Sequence, residues 1–165
     1  MNKSGSTLAQ ILTPAVVVSA LGYFVDVYDI VLFSVIRISS LKDLGLAPEA
    51  ILTDGIFLIN CQMIGMLVGG LFWGVLGDKV GRIKVLFGSI LLYSAANIAN
   101  AFVHSVEMYA LMRFIAGVGL AGEIGAGITL VAETLPLHLR GYGTTMVATI
   151  GVAGAVAAGL VGELS

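Results

Sequence analysis

GVLGDKVGRIK, running from Gly74 to Lys84, is a compact charged turn set between two long apolar segments. The chain carries no charge from Gly55 to Gly77, and no Asp, Glu, Lys or Arg between Lys84 and Glu107. A run of roughly 20 apolar residues, at about 1.5 Å rise each, matches the hydrocarbon thickness of a bilayer. The turn therefore reads as a short extramembrane link between two antiparallel membrane helices. The same criterion, carried outward in both directions, predicts spans at 14–36, 53–76, 83–103, 106–131 and 143–164. Asp54 near the start of the second span and Pro136 just after the fourth are helix-end signals.

Composition agrees. Of 165 residues, 58% are hydrophobic and 11% charged, with a mean hydropathy of +1.04. A soluble domain of this size needs far more polar surface, so the bilayer is the expected solvent. The net charge of -2 with no basic patch excludes nucleic acid as a partner. The single cysteine, Cys61, lies in an apolar segment and reads as a small core residue. The first apolar run contains Asp26 and Asp29 and lacks a small-residue cleavage site, so it is expected to be a retained span and not a signal peptide. With the amino terminus inside, Lys3, Lys79, Arg82, Lys84 and Arg140 face the cytoplasm and only Arg37 and Lys42 the outside. That excess predicts a multi-pass protein of the cell membrane with residues 1–13 as a cytoplasmic segment and 14–164 as the bundle.

Small residues recur at helical spacing. Gly65 and Gly69, then Gly70 and Gly74, form GxxxG pairs, and Gly117, Ala121 and Gly125 form a stripe. Such stripes let helix backbones approach closely where lipid supplies no hydrophobic drive.

Ionisable residues inside the spans are Asp26, Asp29, Arg113 and Glu123. A charge at mid-bilayer costs at least about 2.5–3.5 kcal/mol, so these groups should face the bundle interior or a wet cavity. Helix rise puts Asp29 and Arg113 each roughly 10 Å from the same membrane face. Asn60 and Asn97 fall in that layer, and Tyr23 and Asp26 lie about one to two turns deeper. Asp29 and Arg113 are thus expected to pair at a central polar site, with Tyr23, Asn60 and Asn97 lining a substrate cavity. A proton added to Asp29 cancels its charge and releases Arg113, so one proton could switch an interhelical contact. Glu123, roughly 15 Å deeper than Arg113, reads as a second titrating group or a gate partner.

Four stretches together resemble the major facilitator superfamily of secondary transporters. GVLGDKVGRIK is similar to its signature loop between helices 2 and 3. YDIVLFS, Tyr28 to Ser34, is similar to the helix 1 pattern of proton-coupled sugar porters, whose protonated Asp maps to Asp29. RFIAGVGLAGEIGAG begins with the Arg that influences that Asp, here Arg113. AETLPLHLRG, Ala132 to Gly141, resembles a signature of the sugar-porter and metabolite–proton symporter branches. The resemblance implies an all-α membrane protein, five helices of an incomplete N-terminal six-helix bundle. It also implies a cytoplasmic gate of Gly74, Asp78, Gly81, Arg82, Glu133 and Arg140. GVAGAVAAGLVG lacks the proline of the antiporter signature, which favours symport or uniport.

The expected function is the N-terminal portion of a proton-coupled symporter for a small polar metabolite, a sugar or an organic acid. It works by alternating access and needs the remaining C-terminal helices or a complementary chain. The other reading is a small membrane protein that scaffolds an intact transporter. An enzyme is not expected: His104 and His138 fall on opposite faces of the membrane, so they form neither a metal nor a catalytic site. No Gly-Lys-Ser/Thr phosphate loop is present, and no cofactor is implied.

Overall fold

The computed structural model describes residues 10–164. Lys3 and most of the expected cytoplasmic segment, residues 1–9, lie outside the described residues. Among the described residues five α-helices follow one another: α1 Pro14–Asp43, α2 Pro48–Val80, α3 Arg82–Asn100, α4 Val106–Thr134 and α5 Leu137–Leu164. Each contains a stretch long and apolar enough to cross a membrane.

Local chemistry starts and stops these helices. Pro14 and Pro48 open α1 and α2, where a missing N–H is no loss. Thr13 caps α1 by accepting from the Val16 amide at 3.4 Å, and Ser105 caps α4 by accepting from Met108 at 3.2 Å. Pro136 separates α4 from α5. Gly81 divides α2 from α3 with φ 98°, a left-handed conformation open to glycine and strained for other residues.

Several helices outrun the apolar windows, because backbone hydrogen bonding continues through polar ends until a proline or glycine interrupts it. Helix α1 reaches Asp43 and not residue 36. Asp54 lies inside α2, which begins at Pro48. Helix α5 begins at Leu137 and not at residue 143, so Arg140 and Gly141 lie inside it.

Helix α4 is the axis of the bundle. Half of its most apolar stretch is buried, against 22–28% in the other helices. It contributes to every apolar cluster described: Val131 with Val16 and Val147, Tyr109 with Phe33 and Leu58, Leu120 with Tyr93, and Ala126 with Val85 and Leu86. Its main neighbours are α2 and α3, while α1 packs chiefly on α5. The α2–α4 crossing is backbone against backbone. A Cβ on Gly65 would collide with the carbonyl of Phe114, one on Gly69 with that of Val118, and one on Gly117 with that of Gln62. Trp73 locks the same crossing by donating from Nε1 to the Val118 carbonyl at 2.8 Å. The second GxxxG pair behaves differently: Gly70 and Gly74 face open space.

Candidate functional site

The polar groups of α1, α3 and α4 converge on Arg113, which is only 4% exposed. Its Nη1 lies 4.0 Å from Asp29 Oδ2, the outer limit of an ion pair. Shorter contacts come from α3. Tyr93 donates its hydroxyl to Asp29 Oδ2 at 2.5 Å, and Arg113 Nη2 donates to Asn97 Oδ1 at 2.6 Å. Asn100 completes the cradle, its amide oxygen accepting from Arg113 Nε at 2.7 Å when oriented toward the donors. Phe33 closes one face, with the Arg113 guanidinium 4.3 Å from its ring centroid. Tyr109 in turn braces Phe33 edge-on at 5.9 Å.

Asp29, Arg113 and Asn97 are therefore brought together, but through α3 more than through direct contact. Sequence reasoning missed Tyr93, Asn100 and Phe33. A signal existed for α3: Tyr93, Asn97 and Asn100 follow i, i+4, i+7 spacing and share one helix face. Asn60 is not in this cluster. It is exposed on α2, while Gln62, two positions on, is buried with an unpartnered Nε2.

Deeper along α1, Asp26 is 1% exposed and Glu123 of α4 is 9% exposed. Their carboxyl groups lie within hydrogen-bonding reach of each other. Each retains one buried oxygen without a partner, Asp26 Oδ1 and Glu123 Oε1. Tyr23 lines a small cavity beside them and packs its ring against Gly151 of α5.

At the charged turn, Arg82 Nη2 meets Asp78 Oδ1 at 2.6 Å, and its Nε meets Glu133 Oε1 at 3.5 Å. The arginine links the end of α2 to the end of α4 and lies directly over Gly77, where a Cβ would meet Nη1 at 2.7 Å. Two expected gate residues stand apart from this network. Arg140 donates from Nε to the Leu135 carbonyl at 3.1 Å and braces its own α4–α5 turn. Gly74 faces open space and permits no close approach within this chain. The causes differ: the start of α5 at Leu137 turns Arg140 back on its connection, and Gly74 borders an open groove beside Gly125 and Thr129 of α4 that nothing fills.

The pattern of the Major Facilitator Superfamily matches residues 18–164, all but the two ends of the chain. The chain belongs to the major facilitator superfamily. Among curated relatives of this superfamily protein, the niacin transporter NiaP of Acinetobacter baylyi is 35% identical over 124 residues, 75% of this chain and 27% of the relative. A putative metabolite transport protein of Haemophilus influenzae is 35% identical over 144 residues, 86% of this chain and 34% of the relative. The benzoate transport protein of Acinetobacter baylyi is 28% identical over 162 residues, 93% of this chain and 34% of the relative. The chain thus spans about a third of the length of the curated relatives it matches. No solved structure shows significant similarity. Membership fixes the family, and these relatives are named as transporters of small metabolites.

Proposed function

We propose that these five helices form the amino-terminal part of a proton-coupled symporter for a small organic acid, working by alternating access with helices beyond this chain. The reading rests above all on the half-buried ensemble of Asp29, Tyr93, Asn97 and Arg113 between α1, α3 and α4. Burying such charges in a bilayer is costly unless they are paired, and a pair that a proton can break gives helices two alternative arrangements. Protonated Asp29 no longer holds Arg113. The guanidinium is then free to reorganise with Asn97 and Asn100, and α1 can move relative to α3 and α4. Tyr23 and Asn97 are assigned to the substrate path, and Asn60, exposed on α2 away from them, is left out of it.

The acid is favoured over a sugar by the names of the relatives. Niacin and benzoate, named for two of them, are both aromatic carboxylic acids. We place the amino terminus and the charged turn on the cytoplasmic side, following the lysine and arginine excess of that face. Asp78, Arg82 and Glu133 then form the cytoplasmic latch, with Gly81 as its pivot. Gly74 is assigned to contact with the other half of the transporter, and Arg140 to the bracing of the α4–α5 turn.

The test uses the full-length transporter in liposomes. Asp29→Asn should abolish proton-driven accumulation of benzoate or nicotinate while substrate exchange across the membrane continues. Accumulation against a gradient with unchanged dependence on the proton gradient would reject the coupling role.

A further inference from the structure

A second titratable pair stands apart from the Asp29–Arg113 ensemble. Asp26 and Glu123 meet from α1 and α4, both more than nine-tenths buried. Each points an oxygen into surroundings that supply no partner. A cavity of about 30 Å³ opens beside them, lined by both carboxyls, Ser19, Tyr23 and the apolar Leu86 and Ile90. That is room for about one water molecule.

The groups facing the pair supply no positive charge. From α1 come Asp29, one turn away, and Tyr23; from α3 comes Tyr93, whose hydroxyl is committed to Asp29. Helix α4 offers Glu123 itself, and Arg113 is held by Asn97 and Asp29. The cavity wall from α5 is the apolar Val147. Ser19 spends its hydroxyl proton on the Gly127 carbonyl at 3.2 Å. Two carboxylates in contact have only oxygen lone pairs to offer each other, so a hydrogen bond between them requires a proton on one. A metal ion fits the surroundings less well, since no third Asp, Glu, His or Cys joins the pair among the described residues.

We propose that Asp26 and Glu123 hold one proton between them, forming a second proton site that ties α1 to α4 one helical turn from Asp29. The proton is bonded to one carboxyl oxygen and hydrogen-bonded to the other. Its loss to the cavity water takes the pair from one negative charge to two and turns the tie into a repulsion. In the transport cycle this makes the pair the neighbouring station for the proton that Asp29 exchanges. That use rests on the proton-coupled reading above, whereas the bound proton does not.

Infrared difference spectroscopy of the full-length protein in liposomes, titrated in H₂O and D₂O, reads the proton directly. A deuterium-sensitive band of a protonated carboxyl should be lost as pH rises. It should be absent from Asp26→Asn and from Glu123→Gln, because the new amide donates the hydrogen bond the proton supplied. It should persist in Asp29→Asn. The exchanged double variant, Asp26→Glu with Glu123→Asp, keeps two carboxyls and should keep the band, which guards against misfolding of the amide variants. A band that survives in either amide variant, or is lost only in Asp29→Asn, overturns the assignment. So does a wild-type spectrum without the band, or one in which sodium at fixed pH removes it, the last marking a cation site. If the band behaves as expected but Asp29→Asn still couples transport to protons, the transport reading fails and the bound proton stands.

Discussion

Arg113 and Asp29 touch each other less closely than each touches α3. Tyr93 makes the 2.5 Å bond to the carboxylate, and Asn97 the 2.6 Å bond to the guanidinium. A hydrogen bond to a charged group contributes about 1.5–3 kcal/mol. Tyr93→Phe should therefore lower transport by roughly 10- to 100-fold, measured as initial uptake into liposomes, with normal expression of the variant. The latch obeys a different balance. Asp78 is 69% exposed and Arg82 25% exposed at the side chain. An exposed ion pair is worth about 0–1 kcal/mol, too little to decide whether the protein folds. Asp78→Ala should consequently leave membrane insertion and melting temperature almost unchanged yet impair uptake. Uptake at the wild-type rate would dismiss the latch.

Helix α4 owes its central place to small residues more than to large apolar ones. Gly117 of α4 and Gly65 and Gly69 of α2 bring two backbones into contact, so a side chain there has nowhere to go. Gly117→Val should cost at least about 1–3 kcal/mol, the usual range for overpacking. It should appear as a lowered melting temperature and poor recovery in detergent. Gly74→Ala is the contrasting case. Nothing lies within 4 Å of its added carbon, so stability should change by less than about 0.5 kcal/mol. If Gly74→Ala nonetheless blocks uptake, the surface that needs this glycine belongs to helices outside this chain. The periodicity of the glycines was legible in the sequence. Which pairs face a neighbour was not, because GxxxG spacing marks a smooth helix face without saying what meets it.

Across the whole molecule, broad apolar surface faces outward, with Leu52, Leu67 and Leu71 of α2 each about 70% exposed. Exposure on this scale suits lipid or further helices, not water. The chain should remain in the membrane pellet after alkaline extraction, and its release into the supernatant would contradict the fold. Composition and the uncharged runs sufficed to count the spans, because hydrocarbon thickness sets a length that can be read directly along the chain. The charged turn and its glycines were equally legible, being local in sequence. Depth, too, follows from helix rise, which puts Asp29, Asn60, Asn97 and Arg113 in one layer. Rise along an axis says nothing about rotation around it or about which helix stands next to which. Tertiary structure alone decided that α3 mediates between Asp29 and Arg113, that Asp26 finds Glu123, that Asn60 faces outward, and that Arg140 turns away from the latch. Each depends on the azimuth of a side chain and the identity of its neighbour, and both are set by the packing of all five helices around α4.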